Sequence, residues 1–392
     1  MFSALFYALL AADKSIVLPQ NAQEEHIRSV KEHVQASIGS SEIEPDLHSQ
    51  TDWPAANNCT LSIPADAQVC FLTSGSTGQA KIIRKCYKQL QVEVDALEAM
   101  FGEHVSGSVF MSTVSHQHIY GLLFKLLWPL TKGHAVICQA FDYPEHIVNT
   151  VQQVKLAQIT LVASPAHLHR LCLDNVLQDV KEQIRLVFSS GGPLDADKNM
   201  QLQGQLECVV TEVYGSTETG GIAWRNRTSV HDDLWHTFAD ISIAYQTDSD
   251  LLQLSSPYIL QDDFLADDRV EIISPTQFHL LGRADGVVKI EEKRVSLDEI
   301  LIRLKQHQYV NDAYVLVVGS SRKQLAALIV LNPAGVEASG NLPKHKFNGL
   351  FKHFLASWFE PVVLPKKFRY PAELPYNAQG KLNRQDLESS FE

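Results

Sequence analysis

Residues 68–81 read QVCFLTSGSTGQAK. The first six, QVCFLT, have the β-branched and aromatic character of a strand. From Thr73 to Lys81 the chain then breaks into Thr73, Ser74, Gly75, Ser76, Thr77 and Gly78, followed by Gln79, Ala80 and Lys81. The two glycines let the backbone turn tightly and bring N–H groups toward an anion. Hydroxyls and a lysine add donors suited to phosphate oxygens. Taken alone, the same run also suits a flexible surface loop. It is not a Walker loop, because Lys81 follows Ala80 rather than a glycine and precedes Ile82.

Outward from this loop, strand-like and helix-like runs alternate. Upstream, an apolar helix is expected over 2–12, a strand over 15–19, a polar-faced helix over 23–37 and loop over 40–66. Downstream, a helix is expected from Lys85 to about Phe101. Strands follow at VFMST (109–113), HAVIC (134–138), ITLVA (159–163), LVFSSG (186–191) and VVTEVYG (209–215), with helical stretches near 119–131, 144–156, 165–173 and 193–204. Such alternation predicts an α/β domain with largely parallel sheets. From 234 to 282 short strands with turns predict a β-barrel-like subdomain. Beyond it, a helix (297–307), the strands AYVLVVG and QLAALIVL, and a helix near 347–358 predict a small α+β lid. The expected division is therefore an N-terminal domain over 1–283 and a C-terminal lid over 284–392.

The 392 residues carry a net charge of -12, with 45% hydrophobic and 20% charged residues. That composition is globular. The acidic balance argues against nucleic acid as a partner, since phosphate neutralisation needs basic surface. Cys59, Cys70, Cys86, Cys138, Cys172 and Cys208 form no CxxC pair or metal spacing, so reduced thiols and a cytoplasmic location are expected. The opening MFSALFYALLAADKSIVLP lacks a basic region before its apolar run, and that run is too short to span a bilayer, so neither a signal peptide nor a membrane span is expected.

TSGSTGQAK is similar to the phosphate-loop signature of the adenylate-forming (AMP-binding) superfamily, which includes acyl-CoA synthetases, nonribosomal adenylation domains and luciferases. Four further segments resemble family motifs in the family's order. His118-Ile119-Tyr120-Gly121 is similar to the H-x-[FY]-G segment of acyl- and aryl-acid ligases, where the histidine sits beside the substrate carboxylate. The aspartate that amino-acid-activating relatives carry nearby is missing, which favours an aryl or acyl acid. Tyr214-Gly215-Ser216-Thr217-Glu218 resembles the segment whose tyrosine stacks on adenine, whose threonine touches the AMP phosphate and whose glutamate binds Mg²⁺; the chemistry is coherent, an aromatic face for a base and a hard carboxylate for magnesium. Ser190-Gly191-Gly192 looks like the loop lining adenine. Asp268 stands fifteen residues before Arg283 of Gly282-Arg283-Ala284-Asp285, the spacing of the family's ribose-binding aspartate and its G-R-x-D arginine. Asp267 competes with Asp268 for that role, and Asp285 matches the lid hinge. Pro375-Tyr376-Asn377-Ala378-Gln379-Gly380-Lys381 resembles the C-terminal motif whose lysine binds the carboxylate and phosphate during adenylation.

The chain also departs from the family pattern. Glu292 stands where relatives usually have glycine, in a lid opening (KIEEKRVSL) that resembles ligases of aryl-polyene and fatty-acid-like pathways. The phosphate loop begins at Thr73, earlier than in most members, so the N-terminal subdomain is abbreviated or begins upstream.

The resemblance implies ATP and Mg²⁺ as cosubstrate and metal, Glu218 as metal ligand, and Lys381, Glu218, Thr217 and His118 as catalytic residues. It implies an acid pocket near His118, Tyr120, Ala163, Ser164 and Trp224, with Tyr120 and Trp224 suiting a planar acid. The acceptor would be a thiol, either the phosphopantetheine of an acyl carrier protein or free CoA. Residues 340–392 hold eight Lys or Arg against five Asp or Glu. Lys366, Lys367 and Arg369 thus suit an acidic carrier protein, or simply a solvated face. A non-catalytic AMP-binding relative and an amide-forming ligase are the competing classes.

Overall fold

Parallel strands covered on both faces need apolar residues at every position rather than alternate ones. ITLVA meets that demand at every position but Thr160. In a computed structural model it is strand β6, and all five residues are buried. The structure describes residues 2–19, 30, 34–35, 62–74, 80–141, 143–154, 158–246, 250–259, 261, 263–283, 286–290, 293–319, 324–359, 361–376, 382 and 384–391. The described chain divides into two compact units, Met1–Ser242 with Ser255–Phe264, and Ile243–Leu254 with Leu265–Glu392. The expected boundary after residue 283 falls inside the second unit.

The first unit opens with α1 (Phe2–Ala11) and β1 (Ile16–Leu18), which pairs in parallel with β2 (Gln68–Ser74). β3 (Ala80–Cys86) returns antiparallel to β2 and hands over to α2 (Tyr87–Val105). Here the sequence expectation is corrected. Helix was expected from Lys85, but Ile82 and Ile83 favour strand, and the helix starts only after Cys86. The Gln89 side chain accepts the Cys86 N–H at 2.9 Å, half of a capping box. The helix expected over 23–37 lies outside the described residues except at 30, 34 and 35, as does the loop expected over 40–66 except at 62–66.

The large sheet of this unit follows. β4 (Val109–Ser112) pairs in parallel with β5 (Ala135–Ala140) and with β6 (Ile159–Ala163), β6 with β7 (Ile184–Ser189), and β7 with β8 (Val209–Ser216). β8 turns back antiparallel into β9 (Gly220–Asn226), and β9 into β10 (Leu234–Thr237). β10 lies in the range where the barrel-like subdomain was expected, and its register joins it to β9.

Helices cover both faces. On one face, α5 (Pro144–Val154), α6 (Pro165–Asp174) and α7 (Ala196–Leu206) bury Ile147, Leu168 and Leu202 against Leu161, Val187 and Val210. On the other, Phe188 meets Phe101 of α2, Phe124 and Trp128 with ring centroids 5.1, 5.2 and 5.6 Å apart. Val187 and Phe188 point to opposite faces, as successive strand residues must. Phe124 and Trp128 lie on one helical run: α3 (Ile119–Gly121), a π-helical stretch (Leu122–Leu127) and α4 (Trp128–Lys132).

In the second unit β11 (Ser242–Tyr245), β12 (Leu251–Ser255), β13 (Phe264–Ser274) and β14 (Gln277–Arg283) follow one another in order. A hairpin of β15 (Val287–Ile290) and β16 (Lys293–Ser296), unforeseen from the sequence, leads into α8 (Leu297–Lys305). Ser296 caps α8 by accepting the Glu299 N–H, and Asp298 and Glu299 complement the helix's positive end. β17 (Val310–Val318), β18 (Gln324–Leu331) and β19 (Lys367–Arg369) form a sheet with a core on each face. Val315 and Ala327 face Phe347, Phe351 and Ile300, while Leu316 and Ala326 face Leu374, Leu387 and Phe391. α9 (Pro333–Asn341), α10 (Lys344–Leu355) and α11 (Arg384–Ser389) complete the unit. The α/β class is as the sequence predicted.

One backbone contact sets the entry to α3. A Cβ on Gly121 would lie 2.0 Å from the Ser115 carbonyl oxygen, which also accepts the His118 N–H. No rotamer change relieves a clash with backbone. Gly121→Ala is expected to cost about 1–3 kcal/mol, read as a lowered thermal midpoint; an unchanged midpoint would show that the 115–121 turn yields freely.

Candidate functional site

The motif residues of the first unit gather at the carboxyl ends of the parallel strands, where open α/β sheets place their ligand sites. Thr73 and Ser74 end β2, in register with Lys81 and Ala80 of β3. Gly75, Ser76, Thr77 and Gly78 lie outside the described residues. Past β7, Gly191 takes a left-handed φ of 89°, Gly192 follows it, and Ser190 Oγ donates to the Val213 carbonyl at 2.8 Å. That bond ties the Gly191–Gly192 loop to β8 beside Tyr214.

Tyr214, Gly215 and Ser216 end β8, and Thr217 and Glu218 form the turn into β9. The turn closes on itself. Ser216 N–H donates to Thr219 Oγ1 at 2.9 Å, and Thr219 N–H donates to Ser216 Oγ at 3.1 Å. The Tyr214 ring lies 5.5 Å from Trp235, over which Arg225 sits at 4.0 Å. At the tip, Lys81 Nζ donates to Glu218 Oε1 at 3.0 Å, joining segments 137 residues apart. Burial works against the Glu218 charge, but the hydrogen bond and charge of Lys81, with bonds from its own backbone and Ser216, outweigh it and hold the carboxyl below its ordinary range.

Beneath the turn stands a group that sequence reasoning missed. Lys85, 2% exposed, donates through Nζ to the carbonyls of Glu218 and Tyr258, both at 2.6 Å. Gln89 Nε2 donates to the same Tyr258 carbonyl at 2.9 Å. Glu93, 3% exposed, accepts the Gly221 N–H at 2.6 Å. Burial pulls the Lys85 ammonium down to about 8 against the opposing pull of Glu93 and Glu218. Burial likewise pushes Glu93 up to about 7 against the Gly221 bond and Lys85. A signal was present. Glu93 sits on the stripe Leu90, Val94, Leu97, Phe101 that α2 buries, and a carboxylate on such a stripe needs a partner.

The residues expected to border an acid come next. His118 is the N-cap position of α3. The Tyr120 hydroxyl reaches the carbonyls of Ala163 and Phe188 at 3.2 and 3.0 Å, tying α3 to the ends of β6 and β7. Burial raises the Tyr120 phenol well above its ordinary range, so it stays a donor. Ser164 Oγ and His167 Nδ1 are 2.8 Å apart at the start of α6. Trp224, on β9 opposite Val213, stacks on His236 at 5.2 Å and meets Phe101 at 5.8 Å.

In the second unit, Asp268 and Arg283 are register partners on β13 and β14. Arg283 Nη2 lies 3.4 Å from Asp267 Oδ2. Asp298 of α8, also unforeseen, accepts the Arg283 N–H at 3.0 Å. Asp285 and Lys381 lie outside the described residues. Nearby, the Tyr376 hydroxyl donates to Asp312 at 2.7 Å, and Tyr376 forms an isolated bridge with Leu382.

A family model described as AMP-binding enzyme matches residues 3–241. A 4-coumarate–CoA ligase of Halorhodospira halophila is 30% identical over 318 residues, covering 80% of this chain and 74% of that protein. A D-alanine–D-alanyl carrier protein ligase of Bacillus licheniformis is 29% identical over 111 residues, 28% of this chain and 22% of that protein. Among solved structures, an ATP-bound RpMatB-BxBclM chimera superposes with a TM-score of 0.76 at 19% identity, covering 100% of this chain and 82% of that one.

Next to the HIYG segment, His116 packs against Phe2 with ring centroids 4.0 Å apart. Burial and the nearby Lys125 charge lower its imidazole from 6.5 to about 4. Between those values the unfolded chain binds a proton that the folded chain refuses. Stability therefore falls as pH drops through that window. Urea unfolding across it should show the fall, and His116→Asn should flatten it; equal pH slopes in both proteins would contradict the assignment.

Proposed function

We propose, because this chain belongs to the AMP-binding enzyme family, that the site around Lys81 and Glu218 adenylates an aryl or acyl carboxylic acid with ATP and passes it to a protein-bound thiol. The family and its CoA-ligase relatives make the chain an AMP-forming acid–thiol ligase. In the first half-reaction a carboxylate oxygen attacks the α-phosphorus of ATP, the bond to the bridging oxygen breaks, and pyrophosphate leaves. In the second, a thiolate attacks the acyl carbon and AMP leaves.

The observation that carries this reading is the Lys81–Glu218 contact, which joins the phosphate-loop strand to the YGSTE turn. It also tests the fit of a metal. Glu218 is ionised, at the tip of a closed turn, and already accepts a cationic partner in the Lys81 ammonium. A lone hard carboxylate suits Mg²⁺, which keeps most of its shell from water and phosphate oxygens. When bound, Mg²⁺ neutralises the triphosphate. The protein groups position and balance charge. Lys81 and the 73–78 backbone donate to phosphate oxygens, Thr217 donates to the AMP phosphate, and Tyr214 with Gly191 and Gly192 holds adenine. Asp268 and Arg283 take the ribose, and Lys381 meets the developing charge. Asp285 is the hinge of a lid over 284–392. His118, Tyr120, Ala163 and Trp224 border the acid, with Tyr120 acting through its ring because its hydroxyl is committed to the β6 and β7 ends.

For the acceptor, two readings have support. The carrier-protein ligase likeness and the exposed Lys366, Lys367 and Arg369 favour phosphopantetheine on an acyl carrier protein. The 4-coumarate–CoA ligase likeness spans far more of the chain and favours free CoA.

Acid-dependent pyrophosphate release across benzoates, cinnamates and fatty acids tests the adenylation. Turnover is expected with at least one class. Lys381→Ala and Glu218→Gln should each lower it about 10²–10³-fold. Absence of acid-dependent release, or full rate in both variants, would refute the proposal. Thioester yield with holo-carrier against CoA decides the acceptor: strong turnover on CoA alone defeats the carrier reading.

A further inference from the structure

A buried ammonium needs a reason, because apolar residues of similar volume are often as stable or more so. Lys85 does not end on a convenient neighbour. Its ammonium donates to the carbonyl of Glu218, the residue whose carboxylate faces the proposed metal, and to that of Tyr258. Bonds from a charged donor are roughly twice as strong as neutral ones.

The opposite end of the same turn is held from α2. Glu93 accepts the Gly221 N–H, and the fit there is close. Gly220 has a φ of 71°, and a Cβ on it would lie 2.4 Å from Glu93 Oε2. The Ser216–Thr219 bonds close the same turn. The base is itself braced. Gln89 caps α2 through the Cys86 N–H and shares the Tyr258 carbonyl with Lys85. On β8 and β9 a second buried group, Glu212 with Arg225 and Arg227, joins the two strands through bonds of 2.7 and 2.9 Å.

We propose that Lys85 and Glu93 are positioning residues that lock the Glu218 carboxylate in place for Mg·ATP before the nucleotide arrives. The proposal rests on the reading of Glu218 as the metal carboxylate. Neither residue touches substrate. Their effect is transmitted through the backbone at the Glu218 carbonyl and the Gly221 N–H, so that neither occupies the Glu218 carboxylate. Supporting groups of this kind typically change metal affinity or activity about 10–100-fold when removed.

The test compares wild type with Lys85→Met, Lys85→Arg and Glu93→Gln. Calorimetric titration reads ATP affinity with and without Mg²⁺, and pyrophosphate release reads kcat and KM separately. In Lys85→Met the affinity gained on adding Mg²⁺ should shrink about tenfold or more, kcat should fall, and the KM for the acid should hold. Lys85→Arg keeps a buried cation with donors and should recover part of the loss. Glu93→Gln replaces a charge-assisted bond by a neutral one and should speed hydrogen exchange at the Gly221 amide. A folded Lys85→Met protein with the wild-type Mg²⁺ response overturns the proposal, as does unchanged exchange in Glu93→Gln. The wild-type chain gives an arm that needs no variant: its Gly221 amide should be protected without nucleotide, and free exchange there overturns the proposal too. Wild-type protein that protects this amide but releases no pyrophosphate with any acid would instead overturn the adenylation reading, so the two failures are distinguishable.

Discussion

A charge taken out of water must be met by a partner, and in this chain that constraint organises the proposed nucleotide site. The Lys85 ammonium is nearly inaccessible, and from β3 its hydrogen bonds reach two separate places, the β8–β9 turn and the segment around Tyr258. Glu93, one helical stretch further on, repeats the pattern with Gly221. The hairpin that carries the phosphate loop and the turn that carries Glu218 are therefore not independent loops that happen to meet. They are two ends of one hydrogen-bonded block with a capped helix at its base.

Much of this was legible in the sequence, and the parts that were not have physical causes. The parallel strands announced themselves, because a strand buried on both faces is apolar at nearly every position, as ITLVA is except at Thr160, whose hydroxyl pairs with Ser108. The motif segments stood out through their resemblance to the family's motifs in order, since the 73–81 run taken alone also suits a surface loop. The return strand β3 was not read, because Lys81, Arg84 and Lys85 obscure the alternation around Ile82 and Ile83. Lys85 inside a strand looks like a surface charge until its carbonyl partners are known, and those lie more than a hundred residues away. Asp298 was missed for a similar reason: at a helix start an acidic residue is unremarkable, and only the fold reveals that it also holds the Arg283 backbone.

Tyr120 shows how a motif residue can carry two tasks. Its ring lies at the strand ends where an acid would enter, but its hydroxyl ties α3 to the carbonyls of β6 and β7. Fold and site share that residue, just as Gly121 serves both the motif and the close approach of Ser115. In the second unit the same economy holds Arg283 from two sides, by Asp267 at its guanidinium and by Asp298 at its backbone.

The account stands on Lys81 and Glu218 serving a single Mg·ATP. Diffraction from crystals grown with a non-hydrolysable ATP analogue and Mn²⁺ would test this most directly, since the metal's anomalous signal fixes its position. The account predicts a peak about 2.1 Å from a Glu218 carboxylate oxygen, with Lys81 Nζ moved from Glu218 onto a phosphate oxygen. A metal and triphosphate bound elsewhere, with the Lys81–Glu218 pair intact, would contradict it.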